Sequence, residues 1–128
     1  MKRFVILAMA IIACCLWDGP QARAADAWTQ RQIVLEAAAL TAIGADWLQT
    51  RDIAEHPDKY RETGCFGILG QSPDKSNVDI YFASWAAIHL TVSHLLPSDY
   101  RELWQIGTTF AVVVATADNA AIGIRFEW

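Results

Sequence analysis

Apolar residues along the chain gather into four stretches, and the polar positions between them predict helices rather than strands. The first run, Phe4 to Trp17, follows Lys2 and Arg3 and ends at Asp18-Gly19-Pro20, a turn sequence that stops a helix. Three longer stretches follow at Trp28–Thr50, Val78–Leu96 and from Tyr100 to about Phe126. The first of these has no proline, one glycine and many Ala, Leu and Ile residues, which suits a helix. Helices are therefore expected over about 28–50, 78–96 and 100–124. Each is of the order of 20 residues, and a helix of that length spans roughly 30 Å. The loop between the first two carries Pro57, Gly64, Gly67, Gly70 and Pro73. The last two are joined only by Leu96-Pro97-Ser98-Asp99, which makes them antiparallel neighbours, with a capping box expected from Asp99 to Glu102.

The short N-terminal run has the layout of a secretory signal peptide: a basic start, a brief apolar stretch and a small-x-small site at Ala22-Arg23-Ala24. Residues 1–24 are read as that peptide and residues 25–128 as the working domain. Ile11-Ile12-Ala13-Cys14 also fits a loose lipidation box, so processing at Cys14 is one alternative and an uncleaved first helix another. With the peptide go Lys2, Arg3, Arg23 and Asp18, so the full chain's net charge of −4 becomes −6. An acidic chain lacks the Lys/Arg surplus that phosphate binding needs, which argues against a nucleic-acid partner. Only Cys65 would remain of three cysteines, which excludes an internal disulfide, and no zinc or redox spacing exists.

Composition then raises the question of core or membrane. The chain is 54% hydrophobic and 19% charged, with a mean hydropathy of +0.21, against about 45–50% and about 25% in average soluble domains. No Asp, Glu, Lys or Arg lies between Ile80 and Leu96, or between Glu102 and Asp118. The loop 51–77 carries Arg51, Lys59, Arg61 and Lys75, whereas the 97–99 link has no basic residue. That asymmetry puts the loop in the cytoplasm and the mature N-terminus in the periplasm. The expected fold is thus an all-α, three-helix transmembrane bundle in a bacterial inner membrane, with lipid as one partner. A periplasmic helical bundle is the alternative.

Polar residues inside such helices are the candidates for function. Depth along the helices puts Asp46, Gln49, Asp118 and Asn119 in the inner third with His89 above them, and makes Glu36 and His94 an outer pair. Small residues at Gly107, Ala111 and Ala115, and at Ala38 and Ala42, mark the expected helix–helix contacts. A proton or ion path, or an intramembrane enzyme, would use His89 with Asp46 and Asp118. No nucleophile motif, phosphate loop or cofactor signature accompanies them, so no cofactor is expected and a non-enzymatic role is favoured. The expected role is helix association, with a second copy or with an envelope protein.

A group of motifs adds a setting. Ala45-Asp46-Trp47-x-Gln49-Thr50, Gly67-Ile-Leu-Gly70-x-x-Pro73, Tyr81-Phe82, His89, Leu96-Pro97 and Tyr100-Arg101-x-x-Trp104-Gln105 cover about half the chain. Together they resemble small phage- and prophage-associated bacterial membrane proteins, which carry no assigned activity. Where those proteins have Asn-Pro before the loop's Leu-Gly, this chain has Phe66-Gly67. The resemblance implies a bacterial envelope setting and a phage-related partner.

Overall fold

A computed structural model of the chain describes residues 27–62, 64–124 and 126, so the segment read as a signal peptide, Cys14 included, lies outside the described residues. Three α-helices form: α1 (Gln30–Glu55), α2 (Lys75–Leu95) and α3 (Ser98–Ala121). The loop between α1 and α2 contains one 3-10 turn, Cys65–Gly67. The described residues contain no strand, which agrees with the all-helical expectation.

Local chemistry sets the helix ends. Thr29 and Gln32 cap α1 reciprocally, each side chain accepting from the other's backbone N–H at 3.2 Å. Helix α1 continues past the expected Thr50, because Arg51 to Glu55 contains no breaker, and stops at His56, ahead of Pro57. Asp74 caps α2 by accepting from the Asn77 N–H at 2.9 Å. The capping box expected at Asp99 and Glu102 does not form. Pro97 takes the N-cap position without a side-chain bond, and Glu102 instead pairs with Arg31 of α1 at 3.3 Å. Helix α3 ends where Gly123 adopts φ 92°, a left-handed turn that lets Gly123 and Ile124 donate to the Ala120 and Asn119 carbonyls.

Helices α1 and α3 run parallel and share the longest contact, while α2 lies antiparallel to both. Expecting α2 and α3 as neighbours captured their direction, but α3 packs mainly on α1, because Gln105 and Arg101 of α3 bond to Gln32 and Glu36. Toward the loop end, where Gln49, Thr50, Asp52 and Glu62 are also buried, an apolar cluster forms, in which Ile43, Val78 and Phe82 meet Trp47, Leu69, Trp85 and Val112. Below them Ile53, Tyr60 and Ile124 form a second cluster, closed by the Tyr60 hydroxyl donating to the Gly123 carbonyl at 2.9 Å. Lys75 at the start of α2 pairs with Glu55 at the end of α1. One turn on, Asp79 accepts from the Trp47 indole at 2.7 Å and from Arg51 at 2.9 Å. This clasp is partly solvated, so Asp79→Ala is expected to cost only about 1 kcal/mol, read from denaturant unfolding in mild detergent.

The outward faces carry the apolar residues. Phe110 is 71% exposed, Ile80 65% and Val34 63%, and Ile33, Ile88, Leu103, Val113 and Val114 are exposed with them. The small-residue row of α3 also faces outward: Gly107, Ala111 and Ala115 are exposed, and a methyl added at Gly107 meets nothing within 4 Å. That corrects the expectation that this row packs inside the bundle. The inward positions of α3 are Arg101, Gln105 and Thr108, spaced four and three residues apart. On α1, Ala39 and Ala42 are buried but Ala38 is not.

Among the described residues no helix is long and apolar enough to cross a membrane. This departs from the expected three spans, and the cause is compositional. Gln32 and Glu36 in α1, His89 and Ser93 in α2, and Arg101, Gln105 and Thr108 in α3 lower the hydropathy of each helix, and all of them are turned inward.

Candidate functional site

The residues that stand out lie at the α2–α3 turn, in a polar junction among all three helices. Each helix contributes two polar side chains one turn apart: Gln32 and Glu36, His89 and Ser93, Arg101 and Gln105. Spacing of four residues puts each pair on one face, and those faces converge. His89, Ser93, Arg101, Gln105 and Gln32 are completely buried, and Glu36 nearly so.

Arg101 is the most heavily bonded member. Its Nε donates to the Ser93 carbonyl at 2.8 Å, one terminal nitrogen to Gln32 Oε1 at 2.9 Å and the other to the Leu96 carbonyl at 3.0 Å. The Trp28 ring lies 5.0 Å from its guanidinium carbon and covers it. Gln32 passes the connection on, its amide nitrogen donating to the Ser98 hydroxyl at 2.7 Å. The Glu36 carboxylate binds α2 and α3 through one oxygen. Glu36 Oε2 accepts from the Ser93 hydroxyl at 2.9 Å and from the Gln105 amide at 2.8 Å. Its other oxygen, Oε1, faces His89 Nε2 at 3.4 Å and accepts no hydrogen bond. The His89 ring stacks on Trp104, with centroids 5.4 Å apart and planes 22° apart.

This arrangement excludes a serine nucleophile here. Ser93 donates to Glu36 rather than to His89, and the whole group is closed to solvent, so no substrate reaches a hydroxyl activated by the imidazole. Among the described residues there is also no group of three or more His, Cys, Asp and Glu side chains fit to hold a metal.

The residues singled out from the sequence separate into two levels. His89 and Glu36 come together, whereas His94 is exposed on the outside, lining a shallow groove with Trp28, Leu90, Thr91 and Leu95. Asp46 lies ten residues further along α1, about 15 Å from Glu36 by helical rise, near Cys65 and Glu62. Gln49 is completely buried toward the loop end, with both amide atoms unpartnered. Asp118 is exposed and Asn119 half-buried in the last turn of α3, about 20 Å beyond Gln105. The structure thus keeps Asp46, Gln49, Asp118 and Asn119 away from His89. Gln32 carries no motif in the sequence, and Arg101 and Gln105 enter there only through the Tyr100-Arg101-x-x-Trp104-Gln105 motif, not as a site with Ser93. Their signal was the four-residue spacing of polar side chains in three apolar surroundings.

At the opposite end Cys65 sits half-buried in the loop at φ 45°. Burial, with the Glu62 and Asp46 carboxylates nearby, pushes its thiol up to about 12. Almost no thiolate exists at pH 8, so iodoacetamide is expected to leave Cys65 largely unmodified in the folded protein and to alkylate it on unfolding. Mass spectrometry of the peptide containing Cys65 reads the difference, and fast alkylation of the folded chain contradicts it.

Compared with protein-family models, with curated proteins and with solved structures, the chain matches none.

Proposed function

We propose that this chain is a small integral membrane protein of the bacterial envelope, working by association of helices rather than by chemistry of its own. The observation that carries this reading is the inversion of its surface, with apolar side chains outside all three helices and a charged junction within. In water such a distribution leaves apolar area exposed and buries a guanidinium at a desolvation cost. In lipid the first feature is favourable, because outward side chains meet hydrocarbon, and the inward polar groups, costly there as well, are compensated by bonding across helices.

The charges support the same reading. Outward positions carry no Asp, Glu, Lys or Arg over Ile33–Ala45, Ile80–Leu95 and Leu103–Ala117, bands of about 20–24 Å by helical rise. Arg31 and Glu102 rim one end; Arg51, Glu55, Lys75 and Asp79 rim the other. The band is shorter than a hydrocarbon core of about 30 Å, a mismatch met by local thinning of the bilayer. Basic residues of loop 51–77 would face the cytoplasm, and the likeness to prophage-associated proteins suits an envelope or phage-related partner, or a second copy.

Carbonate washing of membranes tests the proposal. The protein is expected to stay in the pellet and to need detergent for release; recovery in the carbonate supernatant overturns it. Such recovery would favour a second reading, a periplasmic helical bundle, which rests on the modest hydropathy of each helix.

A further inference from the structure

The hydrogen-bond inventory around His89 does not close. Glu36 Oε1, Gln105 Oε1 and both ring nitrogens of His89 are buried without a hydrogen-bond partner. The orientation of Gln105 is fixed, since its amide nitrogen donates to two acceptors, the Gln32 carbonyl at 3.1 Å and Glu36 Oε2 at 2.8 Å. Its oxygen is therefore an open acceptor. A neutral imidazole offers one donor and one acceptor. The unpartnered atoms then comprise three acceptors and one donor, in a place where unmet polar groups are costly.

One added proton balances the set. Imidazolium presents two N–H donors, and two acceptors remain, Glu36 Oε1 and Gln105 Oε1. Water can meet some of these atoms, but it cannot sit between His89 Nε2 and Glu36 Oε1, which are 3.4 Å apart, so a proton on the ring is what joins that pair. We infer that His89 and Glu36 form a binding site for a single proton, taken up on the imidazole, with Trp104 stacked against it and Gln105 bonded to the same carboxylate. The proton bonds to the imine nitrogen of His89, no other bond breaks, and the junction gains one positive charge.

The surrounding groups define what that charge meets. On α1 stand Glu36 and Gln32; on α2 Ser93 faces the junction while His94 points outside. On α3 stand Arg101, Trp104 and Gln105, with Glu102 already paired to Arg31. Arg101 and Glu36 balance each other, so the junction is neutral before uptake. Uptake turns the 3.4 Å approach of His89 Nε2 to Glu36 Oε1 into a charge-assisted bond, which adds to the Ser93 bond already holding α2 to Glu36 and so tightens α2 at this level. The inference rests on the polar junction used in the proposed function and is independent of whether lipid surrounds it.

The test uses the full chain in detergent micelles and reads tryptophan emission against pH, because imidazolium stacked on indole quenches it. A single quenching step is expected on acidification, absent in Trp104→Phe and in His89→Gln. In Glu36→Gln about tenfold or more proton concentration is needed to reach the midpoint, since the anionic partner is gone. A step that persists in His89→Gln overturns the inference. So does quenching by sodium or lithium chloride at fixed pH, which would mark a cation site instead. Should His89→Gln fail to fold, nitrogen NMR of the wild-type imidazoles decides, with His56→Gln and His94→Gln used for assignment. The expected result is one buried ring gaining a second N–H on acidification; a His89 ring that stays neutral down to the unfolding pH sinks the idea. Failure of the carbonate test alone leaves this titration in place.

Discussion

The double substitution Ile88→Lys, Phe110→Lys is expected to remove the protein from the membrane fraction without disturbing any buried contact. Both side chains point outward, 52% and 71% exposed, near the middle of the uncharged bands of α2 and α3. A lysine at the centre of a membrane helix costs about 2.5–3.5 kcal/mol on insertion scales, so two cost roughly 5–7 kcal/mol. Neither position lies close enough to a band end for easy snorkelling to the headgroups. In water the same pair, being exposed and unpaired, changes stability by about 0.5 kcal/mol or less. Fractionation and thermal unfolding together therefore separate the two environments: loss of the pellet supports a lipid-facing surface, and an unchanged distribution with unchanged unfolding argues for a water-facing one.

Arg101→Met has the second-largest expected effect, and here the environment matters little. Methionine fills much of the same volume but donates nothing, so the Ser93 and Leu96 carbonyls and Gln32 Oε1 lose their bonds from the guanidinium. The Glu36 carboxylate then remains inside a junction with no compensating positive charge. Leaving these three acceptors unmet in the buried junction costs about 1–3 kcal/mol each, enough in sum to unfold a bundle of ordinary stability. Arg101→Lys is expected to rescue only part of this, because one ammonium does not reproduce three divergent bonds. Arg101→Met together with Glu36→Gln should recover stability relative to Arg101→Met alone, since the stranded charge goes too. Denaturant unfolding by circular dichroism measures all three; a loss under 1 kcal/mol in Arg101→Met would show that the guanidinium is not what joins the helices.

Much of the fold is legible in the chain because helix signals are local. Runs of helix-forming residues, Pro57 and Pro73 around the loop and the Leu96-Pro97 break place three helices and their order. Boundaries missed by a few residues, as at Thr50, where nothing ends the helix until His56. Facing was harder to read. On α3 the apolar stripe of Leu103, Ile106, Phe110 and Val114 and the polar stripe of Arg101, Gln105 and Thr108 are equally regular, and periodicity cannot say which one turns inward. The row of Gly107, Ala111 and Ala115 was assigned to the bundle on general packing grounds, yet it shares the outward side with Phe110.

The candidate site shows the same limit. Depth along a helix follows from residue number, which is why the sequence puts Asp46 and Asp118 at one level and Glu36 at another. What residue number does not give is rotation about each axis. His89 and His94 differ by five residues, more than a full turn, and only packing decides that His89 turns to Glu36 while His94 turns away.

By itself, the sequence determined that the chain is helical, that its helices lie in this order and direction, and that long stretches of the last two carry no Asp, Glu, Lys or Arg. Those properties depend on backbone propensity, breakers and composition, which act over a few neighbouring residues. Only the tertiary structure decided that α3 lies along α1, that the polar faces close on one another, and that Arg101, Glu36 and His89 share a single buried junction. The physical reason is that a buried polar side chain must find its partner on another helix, and such a pairing is fixed by the mutual rotation of three helices whose members lie more than fifty residues apart in the chain.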